Sequence, residues 1–296
     1  MKKIPKISVG MPVYNGEEYI EESIRCILNQ TCEDFELIIS DNASTDRTKK
    51  ICQDFVKTDQ RISYVCNKKN LGAAANYNQA FRLSSGKYFR WFNSDDLCAP
   101  NCHEQCLSVI ENNPSAVLCY GKTSFIDMRG EITGLYEDNL NLQQDCPVDR
   151  YKIFCKSVGL TNVIYGLMRR SAMERTMLMG DSSFPAADID FMAEMTLYGT
   201  FIEIPEVLFF RRMHEQASSW DRKDKKIQQE FWKGKNHDFI FPMWRKNYTN
   251  LKAIQNSPIH YSEKVKLQMF IFRGMIWERN ALLYEIFQEI TNIFRR

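Results

Sequence analysis

Several things are scarce in this 296-residue chain, and each scarcity removes a class of protein. The N-terminal Met1-Lys2-Lys3-Ile4-Pro5 has neither a long apolar run nor a small-residue cleavage site after it, so no signal peptide is expected there. None of the 10 cysteines forms a CxxC pair, and a secreted disulfide framework would be denser on a shorter chain. Free thiols in a reducing cytoplasm are therefore expected. Neither GxGxxG nor GxxxxGK[ST] follows the first apolar run, against a dinucleotide dehydrogenase or a P-loop kinase. The formal net charge is only +2, so nucleic acid is not an expected partner.

What is present is ordinary in amount and ordered in pattern. Hydrophobic residues make up 44% and charged residues 26%, enough for a sizeable core. Lys6–Val13 is a short apolar run closed by Tyr14-Asn15-Gly16, which predicts a strand and a turn. Ile20, Ile24, Ile27 and Leu28 then recur at helical spacing over 17–30. The alternation repeats. Strands are expected at Phe35–Ser40, Ile62–Cys66 and Lys87–Phe92, with helices around Ile51 and Phe55 and over Ala73–Leu83. Strands alternating with helices imply an α/β fold with a mostly parallel, Rossmann-like sheet flanked by helices, and ligands bind beyond the carboxyl ends of such strands.

Polar clusters stand at those ends: Pro12-Val13-Tyr14-Asn15, then Asp41, then Asn93-Ser94-Asp95-Asp96. Each alone reads as turn chemistry. Together, with two adjacent acids after an apolar strand, they suit a divalent cation on a diphosphate, because neighbouring carboxylates repel unless a positive charge lies close. Cys98, Cys102 and Cys106, with His103 among them, fall one helical turn apart. Zinc ligation is one reading. Small buried side chains on one helix face is the commoner one.

The ordered series Pro12-Val13-Tyr14-Asn15, Asp41 to Asp46, Asn70-Leu71-Gly72 with Asn78, and Ser94-Asp95-Asp96 resembles family 2 glycosyltransferases of the GT-A fold, from about Lys6 to about Trp220. The resemblance implies an inverting, metal-dependent enzyme that moves a sugar from a UDP- or dTDP-sugar to an acceptor hydroxyl. The setting it implies is surface polysaccharide or lipid-linked glycan synthesis, with a glycan or glycolipid as acceptor. Pro12, Val13 and Tyr14 would pack against the base, with Asn15 and Asn78 also at the nucleotide-sugar site. Asp41 would accept the base imide N–H. Asp95 would lie towards the ribose and Asp96 would ligate Mg²⁺ or Mn²⁺, though these two roles are interchangeable on sequence grounds. The chain departs from the family at Asn93, where an Asp is frequent, and near Tyr77, where a basic residue is frequent.

In the second half, the resemblance makes Asp188 of Asp188-Ile189-Asp190-Phe191 the catalytic base, with Ala187 in place of a Glu. An Asp at a helix start also reads as a cap, and Asp190 fits that role. His214, after Phe209-Phe210-Arg211-Arg212-Met213, takes the place of a family histidine that reaches the metal or diphosphate. Arg211 and Arg212 are candidate counter-charges for phosphate.

From Asp221 the character changes. A catalytic domain is therefore expected over 1–220 (nucleotide half about 1–100, acceptor half about 101–220), with a helical extension over 221–296. Charges at Arg273, Glu278 and Arg279 interrupt any run long enough to span a bilayer. Three roles stay open for the extension's apolar stripe: packing on the catalytic domain, a homodimer interface, or peripheral contact with the inner face of a membrane. A non-catalytic sugar-nucleotide-binding protein and a sugar nucleotidyltransferase are the rival functions.

Overall fold

The structure, a computed structural model, describes residues 4–180, 187–215 and 241–295. Strand β1 (Ile7–Val13) is buried at every position. It lies parallel to β2 (Phe35–Asp41) on one side and β4 (Tyr88–Trp91) on the other, and β3 (Ile62–Cys66) extends the sheet beyond β2. A strand covered on both faces has no solvent side, which is why its sequence is nearly unbroken in apolar residues. The connections are helices α1 (Ile20–Leu28), α2 (Thr48–Thr58) and α3 (Ala73–Leu83). Helix α1 starts three residues later than its sequence pattern suggests, because Gly16 to Tyr19 form a turn in which the Tyr19 and Ile20 amides both reach Gly16 O. Before α3, Gly72 has φ 83°, a left-handed conformation that costs glycine nothing.

The second half completes the same sheet. It contains β5 (Leu97–Cys98), α4 (Cys102–Asn112), β6 (Ala116–Ile126), β7 (Ile132–Tyr136), α5 (Pro147–Ser157), β8 (Leu167–Arg169), α6 (Arg170–Met173), α7 (Ala187–Met195) and β9 (Thr200–Arg212). The order is β3-β2-β1-β4-β8-β6-β9-β5, with β7 paired to β6. Short β8 runs antiparallel to both β4 and β6 and so sews the two halves together.

Cys98, Cys102 and Cys106 are buried packing side chains around Arg90, which donates to Cys102 Sγ at 3.0 Å. His103 is buried too, edge-on to the Phe35 ring. Burial of an imidazole disfavours its cation, so the His103 pKa falls to about 3.

Three helices end the chain: α8 (Pro242–Asn256), α9 (Tyr261–Trp277) and α10 (Arg279–Arg295). The boundary expected at 220/221 lies outside the described residues. One face of the extension packs on the catalytic domain. Leu267 is fully buried in the common core, and the Phe270 ring stands edge-on to Tyr151 of α5. None of the helices among the described residues is long and apolar enough to cross a membrane.

Candidate active site

An open cleft of about 250 Å³ lies beyond the carboxyl ends of β1, β2 and β4. Its first wall is Pro12 to Gly16, where β1 leaves the sheet; Glu18 and Tyr19 continue it towards α1. This turn is braced by the loop after β2. The Asn15 amide donates to Ser44 Oγ at 2.9 Å, and Asn15 Oδ1 accepts from the Thr45 amide at 2.8 Å. The Gly16 amide donates to Thr48 Oγ1 at 2.8 Å. Asn15 thus spends its side chain on shaping the wall, in the left-handed conformation (φ 52°) that asparagine tolerates.

The acidic end of the cleft is assembled by a two-residue ladder. Strand β5 follows Asp95 and Asp96 directly, and Leu97 pairs antiparallel with Phe210 of β9. That register carries the segment after β9 back over the acidic loop, and His214 Nε2 comes to 3.0 Å from Asp95 Oδ2. The imidazole is also 5.1 Å from the Tyr19 ring, centroid to centroid. Asp95 and His214 both face the cleft.

Asp96 does not. Ser94 and Asp95 form a turn, and the Asp96 side chain that follows it points inward. It is 1% exposed and accepts from the Arg212 amide at 2.9 Å and from Asn93 Nδ2 at 3.2 Å. Burial first, and then the charge of Asp95, push its carboxyl up to about 8. Of the two adjacent acids, Asp95 therefore lines the cleft and Asp96, expected as a metal ligand, lies beneath it.

Arg211 and Arg212 also point away from the cleft. The Arg212 guanidinium donates to Asp95 O at 2.9 Å and to Glu22 Oε2 at 2.7 Å, and it lies over the Tyr19 ring. It clamps the acidic loop to α1. Arg211 bonds the Asn162 side chain in the interior.

Two departures from the family pattern meet each other. Tyr77 OH donates to Asn93 Oδ1 at 2.5 Å, and Asn93 Nδ2 serves Tyr165 OH at 2.7 Å as well as Asp96. Burial holds the Tyr77 phenol well above its ordinary range, so it stays a donor. The two departures thus form one neutral Tyr–Asn pair.

Other expected residues lie beneath the cleft rather than in its wall. Asp41 is fully buried, with Oδ1 accepting from the Ser44 amide at 2.8 Å and Oδ2 from Tyr64 OH at 2.5 Å. Asn78 fixes 179–180, accepting from the Met179 amide and donating to Gly180 O. Sequence reasoning passed over Asn76, which lines the cleft and is tied to β2 through Ser40. It also gave no site role to Asn42 or Asn70, which line the cleft and are bonded to each other at 2.8 Å. The signal was there in the density of Asn at strand ends, which turn chemistry also explains.

Asp188 stands in the first turn of α7, half-buried, and is not among the residues lining this cleft. Asp190 is buried and accepts from Asn250 Nδ2 of α8 at 3.0 Å. Burial pushes its carboxyl up to about 7.

A carboxylate and an imidazole 3.0 Å apart suit a hard divalent ion that draws its remaining ligands from a diphosphate and water. No group of three or more His, Cys, Asp or Glu that could hold a metal occurs among the described residues.

Comparison with known proteins identifies the family and the fold. The sequence model of glycosyl transferase family 2 matches residues 8–175. A Haemophilus influenzae protein described as an uncharacterized glycosyltransferase is 30% identical over 231 residues, which is 74% of this chain and 69% of that protein. Chondroitin synthase of Escherichia coli is 28% identical over 233 residues, 78% of this chain but only 32% of its own length. Among solved structures, residues 1–349 of Staphylococcus aureus TarS in complex with UDP-GlcNAc superpose with a TM-score of 0.66 at 16% identity, covering 91% of this chain and 72% of that one. That similarity establishes the shared GT-A fold. With its sheet order, its cleft and the match over 8–175, the chain belongs to glycosyl transferase family 2.

Proposed function

We propose that the protein is an inverting glycosyltransferase whose donor is a uridine or thymidine diphosphate sugar held with a divalent cation by Asp95 and His214. The observation that carries the reading is their 3.0 Å approach at the mouth of a cleft walled by Pro12, Val13 and Tyr14. The base packs on that apolar wall. Its imide N–H is taken by Asp41 Oδ2, in exchange for the hydroxyl of Tyr64, which is likewise a single-proton donor. Asn15 and Asn78 act at one remove, through the loops they hold.

A bound Mg²⁺ or Mn²⁺ would counter the charge that develops as the nucleoside diphosphate leaves. Asp188 takes the proton of the acceptor hydroxyl while the new glycosidic bond forms and the bond to the diphosphate breaks. Arg212, gripping Asp95 O and Glu22, keeps the Asp95 side chain aimed outward. The UDP-GlcNAc bound by TarS and the polymer named in chondroitin synthase support a UDP-sugar donor and a glycan acceptor.

The direct test is calorimetric titration of UDP, dTDP and GDP sugars with Mn²⁺ and with EDTA, for wild type and Asp95→Asn. A uridine or thymidine donor that binds only with metal and only to wild type supports the reading. Equal affinity in every case would sink it.

A further inference from the structure

We propose that the C-terminal helices dock the enzyme on an anionic lipid surface, lying along it through the solvent face of α9 and α10. On that face Met269, Phe272 and Ile276 of α9 and Leu283, Phe287 and Ile290 of α10 are 46–66% exposed. They are separated by three, four, seven, four and three residues, whole turns of a helix at about 3.6 residues per turn. Only Glu278 separates the two helices, and its amide still bonds Gly274 O, so the stripe keeps its phase from one helix to the next. The opposite face is the protein side: Leu267 and Leu282 are buried there, and Glu285 accepts the Met243 amide of α8.

The charges choose the occupant. At about 100° per residue, Arg273, Arg279 and Lys266 fall along the margins of the apolar stripe, whereas Glu263, Glu278 and Glu285 fall opposite it. Arg273 and Arg279 are exposed, and neither pairs with a carboxylate among the described residues; Arg273 lies over the Trp277 ring instead. From position 241 onward the chain has nine Lys and Arg against four Asp and Glu, while residues 1–215 have 24 against 29. Two copies meeting through this stripe would bring cation against cation, with no acid at the margins to answer. An anionic headgroup layer answers every one of them, with the apolar stripe and the rings of Trp277 and Tyr284 at the acyl boundary. No described helix is long and apolar enough to cross, so the contact is a lying one.

The experiment is flotation of the full chain with phosphatidylcholine vesicles, with and without phosphatidylglycerol, at low and high salt. The expected result is binding to the anionic vesicles alone, reversed by salt and weakened about fivefold for each charge removed in Arg273→Gln and Arg279→Gln. Phe272→Ser/Phe287→Ser should abolish flotation while leaving the thermal melt and donor binding unchanged. Equal partition into neutral vesicles, or none into either, overturns the proposal. So does a dimer in analytical ultracentrifugation that the Phe272→Ser/Phe287→Ser pair dissolves, because a second copy would then cover this face.

Discussion

Asn250 of α8 holds Asp190 of α7 by its Nδ2 at 3.0 Å, while its Oδ1 accepts from Tyr151 OH of α5 at 2.7 Å. Two elements of the catalytic domain are thus joined through one amide of the C-terminal extension. All three side chains are buried, so each is costly to lose. Removing the amide in Asn250→Ala leaves a buried carboxyl and a buried phenol unserved, and should cost about 1–3 kcal/mol of stability. Chemical denaturation measures it.

The same carboxyl sets a pH dependence. Burial raises the Asp190 pKa from an ordinary 3.8 to about 7, and raises that of Glu194 on the same helix to about 7 as well. The folded state then holds these protons more tightly than the unfolded chain does. Stability is greatest below about pH 4 in this contribution and declines as pH rises towards 7. Asp190→Asn, neutral throughout, should flatten that decline, and only in part because Glu194 remains. An unchanged slope in urea melts between those pH values would contradict the assignment.

The division between Asp95 and Asp96 can be tested with two variants. Asp95→Ala or His214→Ala removes a group that faces the cleft and should weaken metal-dependent donor binding by roughly tenfold to a hundredfold, with little change in melting temperature. Asp96→Ala should do the reverse. It strands the Arg212 amide and leaves Asn93 Nδ2 with Tyr165 OH alone, at about 1–3 kcal/mol of stability, while metal affinity is nearly kept. Loss of metal binding in a well-folded Asp96→Ala would return the ligand role to Asp96.

Tyr77 and Asn93 should behave as a pair. Asn93→Asp alone places a third carboxylate beside Asp96 and removes the amide donor that serves it, so the melting temperature should drop. Adding Tyr77→Lys supplies a cation within reach of the new acid and should recover part of the loss. A double-mutant cycle with a coupling of about 0.5–3 kcal/mol is expected. Strict additivity would show that the two departures from the family pattern are unrelated.

Much of the first half was legible because β1, β2 and β4 are buried at nearly every position and leave mostly apolar runs. The acidic end was legible as a cluster but not in its geometry. Asp95 and Asp96 are neighbours in sequence, and only the turn of the chain decides which one faces the cleft. That turn is fixed by the Leu97–Phe210 pairing, a two-residue strand too short to show any periodicity. Arg211 and Arg212 turn away from the cleft for a similar reason: a cation in sequence carries no sign of the carbonyls that will claim it in the fold.

The base-reading role proposed for Asp41 makes the sharpest prediction, because the residue is already engaged. Tyr64 OH occupies Oδ2 at 2.5 Å, so a uracil imide can enter only by displacing a hydrogen bond of its own kind. The phenol itself is held well above its ordinary range, by burial first and by its hydrogen bond to Asp41 next, and remains a donor at any working pH. Tyr64→Phe removes the competitor and leaves a buried charged acceptor short of one partner. Uridine diphosphate should then bind more tightly, by up to about tenfold if the lost hydrogen bond is worth about 1.5 kcal/mol, while inorganic diphosphate is unaffected. Asp41→Asn should do the opposite and relax selectivity, since its amide can present either a donor or an acceptor to the base. Titrations of UDP, GDP and diphosphate into the three proteins separate these outcomes. If Tyr64→Phe leaves uridine affinity where it was, or weakens it, the imide does not reach Asp41. The choice of base would then fall to the side-chain amides of Asn42 and Asn70, which line the cleft directly.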